Sequence, residues 1–445
     1  VSRRHVELLR AAGMSELSAR HKEAPFERAL AALRGLGRDT SGPVPSWFVP
    51  GRVEVLGKHT DYAGGRSLLA AVERGVCVVA LPRSDRTIRV VDVAEGVDTT
   101  FALEPGLRPA LGHWSNYPMT VARRLSRNFP TANRGADIVI ASDLPHASGM
   151  SSSSALVVAV ALALIAVNEL ESTNLYRAHL GTAEDLAGYL GCVENGQSFG
   201  PLTGDQGVGT FGGSEDHTAI LACRPGLLSQ YSFCPVRAER VVPFPDDHVL
   251  VMAVSGVVAE KTGAALAAYN GASLATRAIL ALWREHTGQD AESLVAAAAS
   301  SPDAPDLLRS LVAGDRTLAA RLDQLLDESE RIIPAAGLAL QRGDLAALGP
   351  LVDASQRDAE QGLANQVPET IWLARSAREL GAVAASAFGA GFGGSVWAMA
   401  PADDAARFRA AWLDRYRERF PARAAAASAF TTRPGPGATR LDLLA

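Results

Sequence analysis

Apolar positions along the chain change their period several times, and each change marks an element. The first forty residues place apolar groups at helical spacing (Val6, Leu8 and Leu9, then Phe26, Ala29, Leu30 and Leu33), which predicts two surface helices ahead of the core. A turn cluster, Ser41–Trp47, follows. Within Phe48–Leu81 two short apolar runs flank a polar, glycine-studded loop, Gly57–Gly65. Thr87–Val93 and Ala136–Asp143 are rich in β-branched residues and read as strands. Between them, Asn116–Phe129 has a helical period with Arg123 and Arg124 on its outer face. After the second strand comes Pro145–Ala155, PHASGMSSSSA, backed by the thirteen apolar residues Ala155–Val167. The order there is strand, small-residue loop, buried helix.

Thr182–Val193 predicts a further helix carrying Glu194 at its end, and Gly196–His217 a loop crowded with glycine. Ser229–Val236, Glu239–Phe244 and His248–Gly256 read as strands of one sheet. From Lys261 to Arg378 the pattern is almost wholly helical, broken at Ser300–Asp306 and Gln341–Asp344. Ala382–Ala400 closes the pattern as strand, glycine loop, strand. A boundary near Phe244–Asp247 divides the chain into an N-terminal domain, 1–244, and a C-terminal domain, 245–445.

Composition narrows the function classes. The chain has 445 residues, 47% of them hydrophobic, with 43 basic and 48 acidic residues and a formal net charge of −5. That balance argues against nucleic acid or an anionic membrane as the main partner. Cys77, Cys192, Cys223 and Cys234 lie far apart with no CxxC spacing, so neither a disulfide framework nor a zinc site is expected. The longest apolar run falls short of the ~18 residues of a membrane span, and Val1–Met14 lacks a signal-peptide core. The expectation is a soluble cytoplasmic protein.

The serine loop carries the chemistry. Gly149 and the serines Ser151, Ser152, Ser153 and Ser154 leave little side-chain bulk, so backbone N–H groups can close around an anion. The helix behind them adds roughly half a positive charge at the same place. A triphosphate is the expected guest, although serines before a helix also serve as plain N-caps. The Walker pattern is absent, so this is not an ordinary P-loop.

Three small-residue motifs stand in order: GRVEVLGKHTDYAGG (Gly51–Gly65), PHASGMSSSSA and GAGFGGS (Gly389–Ser395). The set resembles the galactokinase branch of the GHMP small-molecule kinases. The first motif is similar to the branch's G-R-x-N-L-I-G-E-H-T-D-Y signature, the second to its P-x-G-x-G-L-S-S-S-A loop, and the third to its glycine-rich C-terminal motif. SEDHTAI (Ser214–Ile220), AAYN (Ala267–Asn270) and Gln341–Ser355 extend the likeness over most of Trp47–Ala400. It implies an α/β (α+β) two-domain GHMP kinase fold. The N-terminal mixed-sheet domain would hold the phosphate-binding loop and the C-terminal domain would be a ferredoxin-like α+β unit, with ATP and substrate between them.

The same resemblance implies ATP- and Mg2+-dependent phosphorylation of a monosaccharide at its anomeric hydroxyl, giving a sugar 1-phosphate. Asp216 falls on the family's catalytic aspartate and Arg52 on the arginine that pairs with it. Ser153 and Glu194 fall on the Mg2+-holding serine and glutamate, and Gly149 with Ser151–Ser154 on the ATP phosphate loop. His59, Asp61 and Tyr269 fall where galactokinases contact the hexose, though His59 also reads as a core histidine that satisfies backbone. Lys58 replaces the signature glutamate that faces the far end of the sugar, and Glu54 replaces the signature asparagine. Two readings follow: Lys58 selects an acidic or modified sugar, or Glu54 and Lys58 have exchanged charges and pair. Ala147 for a loop glycine, His217 for glutamine, and a long Phe199–Gly213 segment are further departures. The competing functions are a kinase for a uronic acid, heptose or cyclitol, and a non-catalytic sugar and ATP sensor.

Overall fold

A computed structural model of the chain describes residues 2–145, 148–258 and 263–441. Ala147 and Lys261 lie outside the described residues. The first half builds one mixed sheet from β1 (Ser46–Leu56), β2 (Arg66–Pro82), β3 (Thr87–Asp92), β4 (Val97–Ala102), β5 (Ala136–Ser142), β6 (Leu227–Ser232) and β7 (Arg237–Pro243). Strands β1, β2, β5, β3 and β4 lie side by side in that order, and β6 bridges from β2 to β7. The β3–β5 pair is parallel and the rest are antiparallel.

β1 is buried along all of its length because both faces of the sheet are covered. Successive side chains point to opposite faces, so Trp47 and Val49 join one core while Phe48 joins the other. Helices Asn116–Asn128, Ser152–Val167 and Ala183–Asn195 pack on the first face. Ser152–Val167 is apolar all round, as an enclosed helix must be. The opposite face is covered by the N-terminal region, which forms three helices rather than the two expected: Ser2–Ala11, Glu16–His21 and Glu23–Gly35. They are not surface additions. Phe26, Ala29, Leu30 and Leu33 pack on Cys77, Val79, Val139 and Ala141, because apolar residues on both faces of the sheet need two covers.

A second correction concerns Arg124, which is buried rather than on an outer helix face. The long loop after Glu194 folds across the helix, and Arg124 donates to the Gln197 and Leu202 carbonyls and to Asn128 Oδ1.

The second half forms a four-stranded antiparallel sheet from β8 (His248–Val254), β9 (Ala384–Ala387), β10 (Ser395–Pro401) and β11 (Ser428–Thr432), in the order β11-β8-β10-β9. The three strands expected in one sheet therefore divide. β6 and β7 belong to the first sheet, because the long β2 offers Arg66–Leu69 as a pairing edge, and β8 opens the second. Helices fill most of 263–379 between β8 and β9. One segment, Asp327–Ile332, winds as a π-helix, a local widening that turns Glu328 and Ser329 inward.

The two halves share a core. Val53, Val55, Leu68, Val72 and Met150 from the first pack with Met252, Ile332, Val352, Phe388 and Trp397 from the second. A terminal strand, Thr439–Arg440, returns to the first sheet and pairs with Trp47 and Phe48 of β1. Among the described residues no helix is long and apolar enough to cross a membrane.

Candidate active site

β1 delivers the central cation. Arg52 is buried, and its Nε and Nη2 lie 2.7 and 2.6 Å from Asp216 Oδ1. Asp216 stands in the first turn of the helix Glu215–Ala222, where the helix dipole favours a carboxylate. Burial works against the Arg52 charge, yet Asp216, Glu215 and Glu54 together raise its pKa, so the guanidinium is permanently charged. The other Asp216 oxygen, Oδ2, is 3.3 Å from the Ser154 hydroxyl. The pair opens on a pocket that also contains Glu54, His59, Asp61, Tyr62, Ser154, Glu194, Thr210, Glu215, His217 and Tyr269.

The serine loop joins this pocket from the side. Ser151 takes a left-handed conformation as the N-cap of Ser152–Val167, and its buried Oγ has no hydrogen-bond partner. That unpaired hydroxyl at a helix N-terminus fits an ATP phosphate. Gly149 presents its carbonyl to Arg52, and Ser395 Oγ donates to the Ser148 carbonyl at 2.7 Å, tying the loop to GAGFGGS. Gly389 at the head of that motif has φ +79°, and a Cβ there would lie 2.8 Å from the Gly149 carbonyl oxygen. Only glycine lets the two loops approach so closely.

The serine and the glutamate expected at the metal fall differently in the structure. Ser154, not Ser153, lines the pocket, and its hydroxyl donates to Glu194 Oε2 at 3.1 Å. His217 Nε2 is 3.1 Å from the same Glu194 oxygen but off the hydrogen-bonding direction. A carboxylate and a hydroxyl, completed by phosphate oxygens and water, form the hard oxygen set that suits Mg2+. Among the described residues no group of three or more His, Cys, Asp and Glu could hold a metal alone.

On the opposite wall, His59 has φ +58°, and its Nε2 and Nδ1 lie 3.1 Å from the Ala390 carbonyl and 2.9 Å from Tyr62 Oη. Only Nε2–H can donate to a carbonyl, so Nδ1 accepts from the phenol. His59 satisfies backbone, as the core reading expects, and it also lines the pocket. Asp61 Oδ2 accepts the Glu215 N–H at 3.0 Å, and Oδ1 the Tyr62 N–H at 2.9 Å. Tyr269 stands on the helix Gly263–Thr287, with its ring centroid 5.3 Å from that of His59.

Lys58 does not belong to this wall. It is 1% exposed, does not line the pocket, and donates from Nζ to Ser355 Oγ at 2.8 Å. Glu328 on the π-helix explains the turn: its Oε1 accepts from Gly57 N, Ser355 Oγ and, at 3.4 Å, Lys58 N. The lysine lies in a buried charge cluster with Glu54 and Glu328 and is not among the residues that line the pocket.

Glu215, Thr210 and Glu328 escaped the reading of the sequence, and Glu54 figures there only as a charge partner of Lys58, not as a pocket residue. Glu54 had a usable signal, since it stands two residues after Arg52 on one strand and so shares its face. Burial first, then Lys58 and Arg52 in opposition, leaves its pKa raised to about 7. Burial and the charges of Glu54 and Asp61 raise Glu215 well above the usual carboxylate range.

The comparisons agree with this geometry. Family profiles described as GHMP kinases N terminal domain, galactokinase galactose-binding signature and GHMP kinases C terminal match residues 116–197, 40–82 and 338–418. The galactokinase of Chloroflexus aurantiacus is 32% identical over 376 residues, covering 82% of this chain and 86% of its own. That of Roseiflexus sp. is 30% identical over 367 residues, covering 81% and 84%. A galactokinase from Lactococcus lactis, complexed with galactose, superposes with a TM-score of 0.74 at 24% identity, covering 93% of this chain and 99% of its own. The chain belongs to the galactokinase family of the GHMP kinases and is an ATP-dependent sugar kinase.

Proposed function

We propose that the substrate is D-galactose or a closely related neutral hexose, phosphorylated at the anomeric hydroxyl to give a sugar 1-phosphate and ADP. The Arg52–Asp216 pair, opening on walls made by His59, Asp61 and Tyr269, carries this reading. The sugar oxygen attacks the γ-phosphorus, the bond to the ADP oxygen breaks, and Asp216 receives the hydroxyl proton. Arg52 holds Asp216 ionised and lies where it can draw charge from the moving phosphoryl group. Glu194 and Ser154 would hold Mg2+, which when bound neutralises charge on the phosphates. Glu54, Asp61, Glu194, Glu215 and Asp216 set five carboxyl groups around the pocket, and this disfavours uronic acids and sugar phosphates.

A sugar panel with ATP, run beside the Asp216→Asn variant, tests this. Turnover of galactose or another neutral hexose, lost in the variant, is expected. Turnover confined to acidic sugars would overturn it.

The glycine-rich loop ahead of the helix Glu215–Ala222, shorter than the Gly196–His217 expected, shapes the same pocket. A Cβ on Gly213 would sit 2.4 Å from Asp61 Oδ2 and 2.9 Å from the Tyr62 nitrogen. Gly213→Ala is expected to raise KM for the sugar about tenfold or more while KM for ATP stays within twofold, because only the Asp61 wall is displaced. Steady-state kinetics with each substrate varied would show it.

A further inference from the structure

A second cavity, of about 480 Å3, lies where the first half of the chain meets the second, and it shares no residue with the active-site pocket. Its walls come from the helices Glu16–His21 and Glu23–Gly35, from β2 and β11, and from the helix Ala405–Arg419. Lys22, Arg28, Arg74 and Arg409 line it together with His21, against two carboxylates, Glu73 and Asp143. Both carboxylates are engaged by groups other than the arginines. Asp143 accepts from Lys22 Nζ and, at 2.7 Å, from the Gly75 N–H. Glu73 accepts the Ser15 N–H at 2.6 Å and the Ser15 and Ser18 hydroxyls at 3.0 and 2.9 Å.

Among the described residues the side chains of Arg28, Arg74 and Arg409 make no hydrogen bond or ion pair. Arg28 and Arg409 are exposed and Arg74 is half-buried. The Arg74 guanidinium carbon stands 3.7 Å from the Phe430 ring centroid, a cation–π contact that holds the group but satisfies none of its five N–H donors. Its nitrogens are open rather than enclosed. Burial lowers the Arg74 pKa and Asp143 opposes this only in part, so the charge is short of compensation. Three unpaired arginines around one cavity repel one another. An anion between them relieves that repulsion and supplies the acceptors they lack.

We propose that this cavity binds the phosphate group of a small molecule, with Arg28, Arg74 and Arg409 as its donors, so that the ligand bridges the two halves of the chain. The guanidinium fork offers parallel N–H donors that match a phosphate dianion. A volume within the ~300–1,000 Å3 of small-ligand pockets leaves room beyond the phosphate, which favours an ester over the free ion.

Inorganic phosphate and galactose 1-phosphate are the probes, titrated by calorimetry into the full chain with Mg2+ and a non-hydrolysable ATP analogue saturating the nucleotide site. The variants are Arg74→Gln and Arg409→Gln, the second at an exposed helix position that puts folding at little risk. Neither residue lines the active-site pocket, so kcat and both KM values without phosphate should stay within about twofold of wild type. Wild type is expected to bind at least one probe, and the affinity should fall roughly 10–100-fold in Arg74→Gln and less in Arg409→Gln, as charge-assisted hydrogen bonds are lost. The probe should also raise the melting temperature of wild type, where chloride at equal ionic strength does not, because a ligand held by both halves stabilises only the folded chain. Tighter binding of galactose 1-phosphate would make the ligand a phosphate ester and tighter binding of phosphate the free ion, and either supports the site. Equal affinities in wild type and both variants would place the probe in the active site and overturn the proposal, as would no binding by wild type. If Arg74→Gln does not fold, Arg409→Gln and Arg28→Gln decide by the same comparison.

Discussion

Asp216→Asn lowers kcat by about 10²–10⁴-fold while the protein stays folded and still binds ATP and sugar. Oδ1 of this carboxylate is held by two Arg52 nitrogens, and Oδ2 is the oxygen left toward the pocket and Ser154. An amide keeps the size and one acceptor, but it cannot take the proton that leaves the attacking hydroxyl. Arg52 would then face a neutral group and turn part of its charge elsewhere. The loss therefore falls on kcat, with KM for both substrates within a few-fold. An ADP-release assay together with equilibrium sugar binding separates the two quantities. A kcat within tenfold of wild type would remove Asp216 from the chemistry.

Lys58→Met is expected to destabilise the protein by roughly 3–5 kcal/mol, the cost of leaving a buried carboxylate without its cation. Lys58 is buried among Glu54, Ser355 and Glu328, and Glu328 Oε2 has no hydrogen-bond partner of its own. Lys58→Glu, a third carboxylate in the same space, should be worse. The double variant Lys58→Met with Glu328→Gln should recover much of the loss, because it removes charge from both sides. Urea unfolding with the slope held common measures all three. Protein that survives in Lys58→Met keeps the wild-type ranking of neutral over acidic sugars. A changed ranking with stability intact would return Lys58 to the substrate.

The contrast between Lys58 and Glu54 shows how far the sequence reaches. Elements with a strong local period, such as the strand Ala136–Ser142 and the apolar helix behind it, were legible because one stretch of chain specifies them. The three glycine motifs and SEDHTAI, through their resemblance to the galactokinase branch, were enough to indicate the two-domain kinase architecture and the Arg52–Asp216 pair, 164 residues apart. What stayed hidden depends on partners far along the chain. The turn of Lys58 into the core is set by Glu328, 270 residues later and on a π-helix that has no sequence signature. Arg124 reads as exposed by periodicity because the loop that covers it comes some seventy residues afterwards. Ser154 and Ser153 differ only by rotation about one helix, and four identical residues in a row give no means of choosing between them.

The returning strand Thr439–Arg440 has a consequence for synthesis on the ribosome. β1 is the outer strand of the first sheet on that side, and the chain's own late residues cover its backbone at Trp47 and Phe48. Translation runs at ~5–20 residues per second, so on the order of 10–40 s separate the emergence of β7 from that of its closing partner. Through that interval the nascent first half carries an open, apolar strand edge able to pair with another chain. The four-stranded sheet and its helices are made in that gap, and Thr439–Arg440 seal the first half only after them.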